Sequence, residues 1–365
     1  MKIDSIGEMC TGCLACVHKC PSNCISVISD SLGNKFPEIN YSKCIDCGVC
    51  YNVCQVVKQF SFNNPMQVYA AWNKDIEKCL TSSSGGIATL LSEYMINQGG
   101  VVYGCTFKTG FQVVHVRCST LSEIYRLKGS KYVQSDMTTM YSQIQKDVKD
   151  KRKILFIGTP CQVAGVKSVF KNYEELYTVD LICHGVPSLK LFIESLSEKI
   201  LTRNIDNVVF RRSNVYKREF LELGNVAYAY PLKKDLYMKG FFTGLFYRKS
   251  CYLCKYAKGQ RISDVTLGDF WGIEKYLDTV DVSHGISCVL INSNKGRWLW
   301  ELIKDEINYM ERNMSEAMLQ NKQLSHPMRK TFRTVLFYKL FPILGFKYSC
   351  VICMFDRIIK SYIVK

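Results

Sequence analysis

Cys10, Cys13, Cys16 and Cys20, followed by Pro21, read C-x2-C-x2-C-x3-C-P. The spacing returns at Cys44, Cys47, Cys50 and Cys54, with Gln55 where the proline would stand. Two-residue gaps let a short loop wrap one face of a cuboidal [4Fe–4S] cluster, each thiolate reaching a different iron, and the fourth cysteine reaches across to the other cluster. The spacing therefore assigns Cys10, Cys13, Cys16 and Cys54 to one cluster, and Cys44, Cys47, Cys50 and Cys20 to a second. Gly12 and Gly48 keep the loops slim enough for backbone N–H groups to approach sulfur. A zinc reading fits poorly, because zinc takes paired ligands and not two quartets of this kind.

A third set is dispersed. In KILFIGTPCQVAG a short apolar run precedes Thr159, a good N-cap, and Pro160, a good first helical residue, so Cys161 falls in the first turn of a helix. The helix dipole there favours a thiolate. TVDLICHGVPS repeats the plan with Cys183 and His184, and Cys251 and Cys254 form a C-x2-C pair. Taken together, Cys161, Cys183, Cys251 and Cys254 make the ligand set of a third [4Fe–4S] cluster. His184 reads equally as a proton carrier or as a hydrogen-bonded structural residue. The remaining seven cysteines, at 24, 79, 105, 118, 288, 350 and 353, read as small buried hydrophobes.

Ser83, Ser84, Gly85 and Gly86 precede the apolar-periodic IATLLSEYMI helix, and KGSKYVQS carries Lys131, Tyr132 and Gln134. Hydroxyls, glycines and lysines at a helix start make an anion seat, or an ordinary N-cap and a solvated loop. In TLGDFWG, Asp269 and Trp271 have the chemistry to bond and stack a flat ring, or to be a turn acid and a core indole. Phe210, Arg211, Arg212, Lys217 and Arg218 offer charge to an anionic substrate, or protect a strand edge.

The elements that must position these groups are legible in outline. VYAAW (68–72), VVYGC (101–105) and VVHVRC (113–118) alternate as strands, the last two around a Lys108-Thr109-Gly110 turn. Ile154–Ile157 and the strand before Cys183 flank a helix, a βαβ unit that puts both cysteines at carboxyl ends of parallel strands. SFNNP (61–65) reads as a linker. With 365 residues and 47% hydrophobic content the chain buries a core. The net charge of +16 falls to about +10 once three cluster anions are counted, and no basic, aromatic-interleaved motif for nucleic acid accompanies it. No run of about 18 uninterrupted apolar residues is present. The start has no apolar signal-peptide core, so the expected compartment is the reducing cytoplasm. From about Ser325 the chain turns basic and apolar. Lysines, Pro342 and Gly345 break that tail into helical hairpins that dock on the core or lie peripherally on a membrane surface, docking being the favoured reading.

Residues 4–58 resemble a bacterial two-cluster ferredoxin. TSSSGG, KGSKYVQS, GTPCQVAG, LICHGVPS, CYLCKYAKGQRISD and TLGDFWG, in that order, resemble the family of coenzyme F420 hydrogenase and dehydrogenase beta subunits. The resemblance implies an α+β chain with a ferredoxin domain at 1–60. A mixed α/β flavin-binding domain follows, with its first part at 61–150 and its second, cluster-bearing part at 151–320, and then the tail at 321–365. It implies FAD held by Ser83, Ser84, Gly85, Gly86, Lys131, Tyr132, Gln134, Asp269 and Trp271, with the third cluster beside the flavin; His184 and Asp269 are the expected catalytic residues. No G-x-G-x-x-G follows a strand, so the flavin would be held without a Rossmann motif. The implied function is an oxidoreductase linking a ferredoxin-like donor, three clusters and FAD to an organic substrate, either coenzyme F420 or a sugar-nucleotide-like intermediate. Similar fusions occur in bacterial polysaccharide biosynthesis. The competing expectation is an electron-relay subunit with no substrate site of its own.

Overall fold

The computed structural model describes residues 1–212, 215–277 and 281–363. The first unit carries the antiparallel pair β1 (Ile25–Ser29) and β2 (Lys35–Ile39), with the cysteine loops at either side. The main body is an eight-stranded mixed sheet. Its strands are β3 (Gln67–Asn73), β4 (Val101–Lys108), β5 (Gln112–Cys118), β6 (Ile154–Gly158) and β7 (Leu176–Leu181). After the three strands of a separate small sheet, β8 (Asn207–Arg212), β9 (Val215–Glu222) and β10 (Asn225–Pro231), the main sheet resumes. It adds β11 (Val265–Asp269), β12 (Ser287–Ile291) and β13 (Ile307–Glu311), and its spatial order is β13-β3-β12-β11-β7-β6-β4-β5.

The four central strands β4, β6, β7 and β11 are parallel, and antiparallel strands flank them on both sides. The predicted βαβ unit is β6, the helix Pro160–Val169 and β7. Parallel strands are buried on both faces, and the alternation shows it. Ile154 and Phe156 face the cysteine-bearing unit, while Leu155 and Ile157 face the opposite layer. That opposite layer holds the helices Ile87–Asn97 and Asn294–Glu301. Thr159 caps its helix in a reciprocal box with Gln162, as its position predicted.

Two expectations change. SFNNP is not a free linker: Asn63 exchanges backbone hydrogen bonds with Arg261 at 2.8 and 2.9 Å, which staples the first unit to the loop after Cys254. Gly85 is a glycine for packing reasons, since a Cβ there would lie 2.4 Å from the Ala71 carbonyl on β3. It does not line the cavity described below, although its neighbours Ser84 and Gly86 do.

The tail is a docked hairpin. The helical stretch Phe332–Ile363 is interrupted at Gly345, where φ is 68° and ψ is −177°, and the chain reverses there. Arg333 bonds to Asp356 at 2.6 Å and to the Cys353 carbonyl at 3.2 Å, contacts that a straight helix could not make across more than twenty residues. Phe337, Phe341, Phe346, Cys350 and Cys353 pack into the core around the small sheet and the helix Leu236–Phe242.

Candidate functional site

Cys10, Cys13, Cys16 and Cys54 stand close enough for their thiols to act on one another's acidity. Burial dominates that effect and pushes Cys13 up to about 12, with Cys16 and Cys54 also raised. The Gly12 N–H donates to Cys10 Sγ at 3.4 Å. At φ +68° this glycine admits no side chain, because a Cβ would meet Arg248 Nη1 and Gln134 Nε2 at 2.9 Å each. Cys20, Cys44, Cys47 and Cys50 line one small cavity near the surface, where Cys47 is exposed. Cys24 is buried as expected, yet it also lines this cavity and sits 3.4 Å, sulfur to sulfur, from Cys20.

The dispersed third set converges. Cys183 lies in electrostatic reach of Cys161, Cys251 and Cys254. Cys161 and Cys183 arrive at the carboxyl ends of β6 and β7, and the Lys249–Leu253 turn brings the C-x2-C pair to them. The loop after Cys254 is fixed by Arg261, fully buried, which bonds to Asp180 at 2.9 Å and to the Tyr256 carbonyl at 3.0 Å. The expected thiolate at Cys161 is not favoured in the free protein, because burial outweighs the capping bonds and raises its pKa. Cys251 is pushed up to about 12 and Cys254 to about 11 by the same burial. Buried thiols of this kind ionise when bound iron supplies the opposing charge. Among the described residues no His, Cys, Asp or Glu group converges on a single-ion point.

Buried side chains lie between the first and third quartets. Tyr256 is buried and stands in reach of Cys13 and Cys54 on one side and of Cys161 and Cys254 on the other. Its hydroxyl donates to Gln55 Oε1, and Gln55 Nε2 donates to Thr11 Oγ1 at 2.8 Å. The residue replacing the second proline is thus a strut between the first and third quartets. Tyr141 donates to the Cys13 carbonyl at 2.8 Å. Arg248, 1% exposed, donates to the Cys10 carbonyl at 2.6 Å and the Lys35 carbonyl at 2.7 Å and lies over the Phe36 ring. Neither Arg248 nor Tyr256 was singled out from sequence; their proximity to the C-x2-C pair was the available signal.

A cavity of about 630 Å³ begins at Cys161 and Cys183. Its walls include the Ser82–Ser84 turn with Gly86, the Lys128–Gln134 segment, His184, Arg211, Asp269 and Trp271. The two hydroxyl- and lysine-rich segments do form one wall: the Ser130 N–H donates to Ser83 Oγ at 2.7 Å and Lys128 Nζ to Thr81 Oγ1 at 2.9 Å. Ser84 Oγ and Arg211 Nε are buried without a partner. Lys131 lines the cavity, but its ammonium donates to the Leu127 and Lys128 carbonyls at 2.8 Å, and burial lowers its pKa to about 8. Tyr132 packs on Phe210 and Phe241. Gln134 lines the cavity, and its Nε2 donates to the Thr11 carbonyl at 2.8 Å. His184 is held neutral by burial; its Nδ1 accepts from Gln323 Nε2 at 3.0 Å, which leaves the ring proton on Nε2.

Of the basic residues offered to a substrate, only Arg211 reaches this cavity. It bonds to Asp269 at 2.5 Å and to Tyr216 at 2.7 Å and lies over the Trp271 ring. Arg218 is instead buried against Asp235 at 2.8 Å, and Arg212 and Lys217 pair with Glu219 near the surface. Burying a guanidinium requires a paired acid, and Asp235 reserves Arg218 for the core.

With this geometry in view, residues 9–58 match a 4Fe–4S dicluster domain, and residues 151–317 match the C terminus of the coenzyme F420 hydrogenase/dehydrogenase beta subunit. The F-type subunit of the F(420)H(2) dehydrogenase of Methanosarcina mazei is 19% identical over 316 residues, 83% of this chain and 85% of that protein. A polyferredoxin-like protein of Methanocaldococcus jannaschii is 32% identical over 69 residues, 17% of this chain and 41% of its own length. A chain of the F420-reducing [NiFe] hydrogenase complex from Methanosarcina barkeri is 18% identical with a TM-score of 0.47, covering 72% of this chain and 91% of that one. The protein is an iron–sulfur electron-transfer chain related to the beta subunits of coenzyme F420 hydrogenase and dehydrogenase.

Proposed function

We propose that this chain is an iron–sulfur flavoprotein oxidoreductase. One observation above all supports this reading: the 630 Å³ cavity is walled by Cys161 and Cys183, so whatever ring binds there lies against the third quartet. Such a volume suits a cofactor. FAD in this cavity would supply the conversion between single electrons and electron pairs.

The chain's own residues divide the work. The second quartet, with its exposed Cys47, would hold its cluster near the surface, where a redox protein partner could deliver electrons. Clusters held by the first and third quartets would lie on either side of the buried Tyr256 and would pass electrons inward past it. The Ser83, Ser84 and Gly86 turn, with Lys128, holds the anionic part of the cofactor at a helix start. Arg211, stacked over Trp271 and oriented by Asp269, binds an anionic planar substrate. His184 Nε2–H donates a hydrogen bond to the substrate. A chain with 19 cysteines, twelve of them in the three quartets, suits the reducing cytoplasm. The substrate is coenzyme F420 or a sugar-nucleotide-like intermediate, the first supported by the names of the relatives.

The test is to reconstitute the protein anaerobically with iron, sulfide and FAD, reduce it, and add F420 or a sugar nucleotide. Oxidation of the bound flavin by one of these, lost in Arg211→Met, supports the reading. Retained flavin that no small molecule oxidises would favour a relay subunit that passes electrons only to a protein partner.

A further inference from the structure

The docked C-terminal hairpin buries only one side of itself. Phe337, Phe341, Phe346 and Cys350 are within the core, each at most 4% exposed. On the opposite side, Ile343 is 78%, Tyr348 63%, Ile352 50% and Phe355 62% exposed. Tyr348, Ile352, Phe355 and Ile359 follow at intervals of four, three and four residues, which is one stripe along a helix. Val335 and Ile343 form a second stripe on the antiparallel partner, with exposed Lys339 between them. The stretch Phe332–Ile359 is long and apolar enough to cross a membrane by composition, but the reversal at Gly345 folds it onto the protein surface. An outward apolar face therefore remains uncovered among the described residues.

The surrounding charge indicates the occupant. Residues 325–365 contain eight Lys or Arg and one acid, Asp356. That acid is already paired with Arg333 at 2.6 Å. Lys339, Lys347 and Arg357 are exposed along the hairpin, and Arg329 and Lys330 stand exposed just before it. Basic side chains beside an outward apolar stripe match the interface of an anionic bilayer, where the apolar groups enter the acyl boundary and the cations meet headgroups.

We propose that the Phe332–Ile363 hairpin is a peripheral membrane anchor that lies in the surface of an anionic bilayer, holding the redox body against it. The anchor does not span. It does not depend on the flavin reading, because its residues lie outside the cavity.

The test is flotation of the full-length, cluster-loaded protein with vesicles of phosphatidylcholine, with and without phosphatidylglycerol. The protein should float with the anionic vesicles at least about tenfold more than with neutral ones, and added salt should weaken the binding. Ile343→Glu with Phe355→Glu should reduce flotation by about tenfold or more while iron content and melting temperature stay unchanged. Lys339→Glu with Lys347→Glu should reduce it on anionic vesicles alone. Failure of the parent protein to float, or unchanged flotation of the apolar double variant, would overturn the proposal. So would sedimentation showing that the two apolar substitutions split a dimer of this chain without altering vesicle binding.

Discussion

Arg248 offers the sharpest test of how the quartets are coupled. Its guanidinium is fully buried, donates to three oxygen acceptors, and has no carboxylate within ion-pair distance among the described residues. An unpaired buried charge costs several kcal/mol unless another charge opposes it. The opposing charges in reach are thiolates of the third quartet, since Arg248 favours ionised Cys161 and Cys251, and its backbone contact at Cys10 places it beside the first. Arg248→Gln removes one positive charge. Two unit charges about 8 Å apart at an effective dielectric near 20 interact by about 2 kcal/mol, which for one electron is about 90 mV. Removing the cation makes an added electron less favourable, so the potentials fall. Anaerobic redox titration followed by electron paramagnetic resonance should show the first and third clusters lowered by tens of mV, up to about 90 mV, with the second unchanged. Arg248→Lys keeps the charge and should recover most of the shift, which separates charge from packing. Unchanged potentials in a fully loaded Arg248→Gln protein, or an equal shift at the second cluster, would refute the coupling.

Cys183→Ala should remove about four irons and spare about eight, as read by colorimetric iron per chain, because only the third quartet loses a ligand. Gly85→Ala forces a Cβ to 2.4 Å from the Ala71 carbonyl and should destabilise the fold by about 1–3 kcal/mol, seen as a lower melting temperature with the ferredoxin iron retained. Burial depresses the His115 pKa to about 4, with Ser135 Oγ at 2.8 Å and the Ile157 carbonyl at 3.1 Å holding the neutral ring. Because the folded value lies below the unfolded one, His115 contributes full stability above about pH 6.5 and loses it as pH falls toward 4. At pH 5 the loss is about 2 kcal/mol. Melting of the parent at pH 7 and pH 5 should therefore differ more than melting of His115→Gln.

Much of the site was readable because its signals are local. The two cysteine repeats encode ligation in their spacing, and Thr159 and Pro160 announce the helix that presents Cys161. The third quartet was recoverable only by combining strand ends with a distant C-x2-C pair, since nothing local ties Cys183 to Cys251. What sequence left open was decided by burial and by side-chain direction. Arg211 and Arg218 both sit in basic strands, but one faces the cavity and the other is closed off by Asp235, seventeen residues away in sequence. Gly85 and Gly86 are adjacent, yet one glycine serves the packing on β3 and the other the cavity wall. Gln134 lines the cavity, and its amide also reaches the Thr11 loop of the other unit, a contact no motif announces. The Asn63–Arg261 pairing, which ties down the linker, has no sequence signature because its bonds are backbone to backbone.

The central claim is that the cavity holds a flavin against a third cluster. Iron, sulfide and FAD per chain, measured after strictly anaerobic purification and reconstitution, test it most directly. About 12 irons, matching sulfide and one FAD are expected. About eight irons and no flavin would contradict the claim, and would leave the N-terminal ferredoxin unit as the redox-active part of the chain.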